Sequence, residues 1–156
     1  MKPTSLLPFL VLLARLAAAQ TFGLTDEPIY LDGSRIDSLH GLSGIEYVPT
    51  RDEWVLVSDR HWTFEYRGIK NFAEFGDPAR LKTPPRRSSG WFEAVRYDAA
   101  HDAWFFATES KTVTSVSYSF GHVDPANAHT LLRIPLPFDN KGVEGLALTP
   151  AGHLWV

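Results

Sequence analysis

A chain of 156 residues is long enough for a domain with a real core. Its 13% aromatic and 21% charged residues are those of a packed protein and not of a disordered one. A formal charge of −3 argues against a general nucleic-acid binder, and the absence of cysteine excludes disulfides, thiolate catalysis, cysteine-based zinc sites and a lipid-modified N-terminal cysteine.

Met1–Gln20 carries Lys2, an apolar run over Leu6–Ala14 and the small run Ala17–Ala19. This is the layout of a secretory signal peptide over residues 1–19, cleaved after Ala19, with Arg15 as an interruption. Export to a bacterial periplasm or the extracellular space is expected, with no stable membrane insertion after cleavage. Residues 20–156 are then one domain. Thr21–Asp32 reads as a short alternating strand, and Gly33–His40 as a linker.

From Gly41 the chain repeats itself. GLSGIEYVPTRDEWVLVSD (Gly41–Asp59) aligns with WFEAVRYDAAHDAWFFATE (Trp91–Glu109) and with VEGLALTPAGHLWV (Val143–Val156), at offsets of 50 and 51 residues. Ser43 falls on Glu93 and Glu144, Tyr47 on Tyr97, and Trp54 on Trp104 and Trp155. Within each copy, Gly44–Val48 and Ala94–Asp98 read as first strands by their period of two, and Trp54–Ser58 and Trp104–Thr108 as the returns. Trp62–Gly68 and Val113–Phe120 follow as third strands, and Leu131–Pro137 as an outer strand whose prolines suit an edge. Lys70–Gly90 reads as an irregular loop, with Arg86–Arg87 either solvated or gripping an anion. Trp54 and Trp104 are expected to pack between sheets. A strand-built period of this size is the signature of a β-propeller with four-stranded antiparallel blades. The fold class is therefore all-β, a partial propeller of about three blades from a probable ring of about six. The run ends at Val156 inside an apolar strand, so the chain reads as the N-terminal part of a longer ring. A further acid is expected about five residues after Trp155, as Asp59 follows Trp54.

The chemistry is expected at one end of the blades. A register pairing Gly44 with Ser58 sets position 43 opposite Asp59 and Glu93 opposite Glu109, with Glu144 at the matching place in the third copy. Directly opposed like charges must bind a cation, share a proton or splay into solvent. Hard oxygen donors of this kind suit Ca²⁺ or Mg²⁺, held by Asp59, Glu93, Glu109 and Glu144. Arg60, Lys111 and Lys141 lie close by in sequence and either bind a phosphate or balance the acids. Ser43 lies in GLSGI, outside the G-x-S-x-G elbow of α/β-hydrolases, and is read as a lining residue rather than a nucleophile.

The successive motifs LSGIEYVPTRDEWVLVSDR, WFEAVRYDAAHDAWFFATES and DNKGVEGLALTPAGHLWV resemble those of the phytase-like domain family, described as the esterase-like activity of phytase. The resemblance spans Gly41–Val156, and Asn140–Leu148 is its most specific part. It implies an exported propeller whose Glu and Asp residues hydrolyse a small-molecule phosphoester with a metal, with Asp59, Glu93, Glu109 and Glu144 at the matching positions. Glu93 and Glu144 are the catalytic residues on this reading, and Ser43 departs from the acidic pattern. The alternative is a non-catalytic propeller that binds a ligand or partner through loops such as Lys70–Gly90.

Overall fold

The computed structural model describes residues 39–136 and 142–156. The expected signal peptide, the Thr21–Asp32 strand, Pro137 and Lys141 lie outside these residues. The described chain is all-β: ten strands, three short 3₁₀ turns and no α-helix. Among the described residues no helix is long and apolar enough to cross a membrane.

The first sheet holds β1 (Leu42–Val48), β2 (Glu53–Ser58), β3 (Trp62–Arg67) and β4 (Arg86–Arg87), in that order. The second holds β5 (Trp91–Asp98), β6 (Ala103–Glu109), β7 (Val113–Phe120) and β8 (His129–Pro135) in the same order. A two-stranded hairpin follows, β9 (Ala147–Leu148) with β10 (Leu154–Trp155). Every pairing is antiparallel, and the sheets do not close. The first strands pack against one another in sequence, β1 on β5 and β5 on β9.

The repeat holds in three dimensions. Asp52 and Asp102 turn the first two hairpins with positive φ of 47° and 51°, a left-handed conformation that Asp tolerates better than most residues. Each Asp accepts a hydrogen bond from the tyrosine five residues before it, Tyr47 at 3.3 Å and Tyr97 at 3.0 Å. Each tyrosine ring packs on the tryptophan of the return strand, with centroids 4.5 and 4.7 Å apart. The third hairpin is one residue tighter: Trp155 pairs with Ala147, where the earlier copies predict Leu148.

The main core lies between the two large sheets. Val48, Val55 and Val57 of the first meet Phe92, Val95, Trp104 and Phe106 of the second. Trp104 thus packs between sheets as expected. Trp54 does not: it points to the opposite face of the first sheet, toward Leu56 and Tyr66, where Phe75 meets it edge-on at 5.7 Å. Ties at the sheet–sheet boundary are polar. Arg51 pairs with Asp102 and lies 4.9 Å over the Tyr97 ring, and Glu46 pairs with Arg96 at 3.2 Å.

Two expectations need correction. Arg86–Arg87 is not a loop but the fourth strand of the first sheet, pairing with Thr63 and Trp62. Charge holds it there: Arg86 lies 3.0 Å from the buried Glu65, while Lys82 lies 2.9 Å from the buried Glu53 and 3.5 Å from Glu65. Two carboxylates withdrawn from water require such partners. The Lys70–Gly90 segment also contains 3₁₀ turns at Phe72–Gly76 and Pro78–Arg80. The register is also different. Gly44 pairs with Val57, not Ser58, and a β-bulge lies between Leu42 and Gly44; a second occupies the same place between Phe92 and Ala94. Ser43 and Glu93 are therefore the extra residues of two bulges. The residue opposite Glu109 is Trp91.

Candidate functional site

A bulge leaves one residue out of the ladder and turns its side chain away from the regular alternation. Here it delivers Ser43 and Glu93 to a cleft of about 460 Å³ that also receives Gly44, Arg96 and Glu144. Leu42, Ile45, Phe72 and Phe75 form its apolar side. The cleft thus runs past the starts of β1 and β5 and onto the segment before β9.

Glu93 is the electrostatic centre of this end. Burial first, and then the carboxylates of Glu144, Glu109 and Asp59, push its carboxyl from an ordinary 4.5 up to about 7. The other three predicted acids are therefore close enough to act on Glu93, although neither Asp59 nor Glu109 stands opposite a bulge residue. Around neutral pH Glu93 exchanges its proton readily, which suits an acid or base.

The other acids differ in setting. Glu109 is 2% exposed; its Oε2 accepts the Gly142 N–H at 3.1 Å, and its Oε1 has no hydrogen-bond partner. Thr114 beside it accepts the Val143 N–H at 3.2 Å. A Cβ at position 142 would stand 2.5 Å from Glu109 Oε2 and 2.8 Å from Thr114 Cβ, so any larger residue would displace the side chains that grip this segment. Glu144, two residues further, is exposed. Asp59 is half-buried, has Arg60 Nε at 3.6 Å, and keeps an Oδ1 without a hydrogen bond.

Ser43 donates its hydroxyl to the Phe92 carbonyl, and the Val57 carbonyl lies 3.4 Å away. A hydroxyl committed to a backbone carbonyl is a structural tie. Of the cations expected to meet a phosphate, neither Arg60 nor Lys111 lines the cleft. Arg96 does, but Glu46 and the Val95 carbonyl, at 2.8 Å, already engage it.

Sequence reasoning missed His61. It has a positive φ of 74°, strained for a residue with a side chain, and its ring stands between the two sheets. Nδ1 is 3.0 Å from the Gly90 carbonyl and Nε2 is 3.1 Å from Trp91 Nε1. An indole N–H only donates and a carbonyl only accepts, so the proton of the neutral ring is on Nδ1. The repeat gave no sign of it, since Lys111 occupies the aligned position.

The donor set suits a hard divalent cation: four carboxylates, with buried unpartnered oxygens on Asp59 and Glu109. Yet among the described residues no three Asp, Glu, His or Cys side chains converge as a formed metal shell. No family model, curated protein or solved structure matches this chain.

Proposed function

We propose that the chain is part of an exported β-propeller whose acid-lined cleft hydrolyses a small-molecule phosphoester. The observation that carries this reading is Glu93, a carboxyl pushed up to about 7 by burial and three neighbouring carboxylates at a recurrent position of the repeat. Support for a ring comes from repeat equivalence. Leu42 and Ile45 align with Phe92 and Val95, which are buried against the first sheet, so the exposed β1 side of the first sheet's outer face is where a further blade would pack. The resemblance to the phytase-like family supplies the phosphoester.

Asp59, Glu93, Glu109 and Glu144 would hold a Ca²⁺ or Mg²⁺ ion, which would supply positive charge to the phosphate oxygens. Where the ion leaves it free to take a proton, Glu93 exchanges one with the attacking or departing oxygen; its burial and then the charge of Glu144 raise its proton affinity. Arg60 and Lys111 lie outside the cleft, and Arg60, 3.6 Å from Asp59, is read as a partner of that acid rather than as a phosphate ligand.

The test is a panel of phosphomonoesters and phosphodiesters assayed on the full chain, with and without Ca²⁺, and repeated with Glu93→Gln and Glu144→Gln. Hydrolysis that depends on Ca²⁺ and falls about 100-fold or more in Glu93→Gln is expected, the size typical of losing a general acid–base group. Activity that ignores the metal and both substitutions would refute it. The absence of a convergent shell among the described residues favours a second reading, a non-catalytic binding propeller. Calorimetry separates the two, because that reading requires no divalent-ion binding by a normally folded protein.

A further inference from the structure

We propose that His61 is a positioning residue for Glu93, holding the glutamate in place through Trp91. The inference rests on the hydrolase reading above for its catalytic consequence, and on geometry alone for the positioning.

His61 belongs to the first sheet's turn, where its N–H bonds the Ser58 carbonyl at 3.1 Å. Its ring reaches the second sheet at Gly90 and Trp91, and its own carbonyl receives the Ser88 N–H at 2.7 Å. The start of β5 is therefore gripped from both sides of His61. Trp91 and Phe92 stay in register with Glu109 and Thr108, and Glu93 bulges out immediately after. Ser43 adds a second grip on the Phe92 carbonyl. The bulge is thus the first free step after a clamped dipeptide.

The next junction repeats the logic with different chemistry. Glu109 and Thr114 of the second sheet grip the N–H groups of Gly142 and Val143. Gly142 aligns with Trp91, and Glu144 with Glu93. At both junctions the preceding sheet holds the residue two positions before the glutamate. A repeat that changes the gripping side chain from His61 to Glu109 yet keeps the gripped position has preserved a placement and not a contact. Placement matters because misplacing a reacting group by about 1 Å reduces rate on the order of a hundredfold.

The experiment compares His61→Leu, Trp91→Phe, the double variant and His61→Gln in the full chain. Trp91→Phe keeps an aromatic ring and removes the donor; His61→Gln offers an amide NH₂ to donate and a carbonyl oxygen to accept, and should restore the tie in part. Each single loss is expected to lower kcat about tenfold or more with KM little changed. The double variant should be no worse than either single variant, since both break one interaction. Amide NMR signals of Glu93 and Ala94 should shift in His61→Leu while those of β7 stay. If the wild-type chain hydrolyses no phosphoester but the Glu93 signals shift, the hydrolase reading falls and the positioning stands. Unmoved Glu93 signals, or additive losses in the double variant, overturn the proposal.

Discussion

Glu93 gains its character from where its neighbours are, and this has a consequence for stability. Its carboxyl is held near 7 in the fold, against an ordinary 4.5 once the chain is unfolded. Between those values the folded state binds more protons than the unfolded one, so the slope of stability with pH is negative. The favourable contribution is complete below the lower value and is lost as pH rises through the upper one. The thermal midpoint should therefore fall between pH 5 and pH 8, and fall less in Glu93→Gln, which cannot ionise. Differential scanning calorimetry of both proteins at the two pH values decides it. An equal fall in both would assign the effect to other groups. A bound Ca²⁺ should reduce the fall in the wild type, because the ion favours the ionised form that high pH produces.

The strands carry the lesson of what sequence can disclose, and the two tryptophans test it. Trp104 is fully buried between sheets, whereas Trp54 is only partly buried on the outer face of its own sheet. Trp104→Ala should destabilise the fold by about 3–5 kcal/mol, the range for deleting a buried large aromatic. Trp54→Ala should cost distinctly less. Urea denaturation of both variants checks this, and equal losses would contradict the assignment of faces. The aligned copies alone predict one role for both, because alignment reads the residue and not the blade beyond it. The third strands were legible for a related reason: β3 and β7 each alternate over six residues or more. Arg86–Arg87 was not, since two charged residues after Pro85 have no period, and only the buried Glu65 explains their pairing. The bulges were hidden most deeply. One extra residue at the same place in both copies leaves the 50-residue offset intact, so the repeat confirms any register shared by both. The acids were therefore legible as a group, but their facing partners were not, and the His61 tie left no trace in the spacing.

At the scale of the molecule, stability is graded along the chain, and the site spans the grade. β6 lies between β5 and β7, with Trp104 and Phe106 against the first sheet and Ala107 against Val143 and Leu146. β2 is likewise flanked on both sides and nearly all buried. β8 is an edge strand exposed along its whole length, and β9 and β10 are two residues each. Local opening is easiest where few apolar contacts and many exposed hydrogen bonds meet. Amide exchange should thus be slowest in β2 and β6, and on the order of a hundredfold faster in β8 and the β9–β10 hairpin. Glu109 ends the slow β6 and Glu93 bulges from β5 beside it, while Glu144 follows the short grip of Glu109 and Thr114 into the fast region. The site is complete only when the third repeat is docked, so whatever binds Glu93 and Glu144 together must also hold that repeat down. Saturating Ca²⁺ is then expected to slow exchange from Val143 to Trp155 selectively, by linkage, and to leave β2 unchanged. Uniform slowing, or none, would show that the third repeat takes no part in binding.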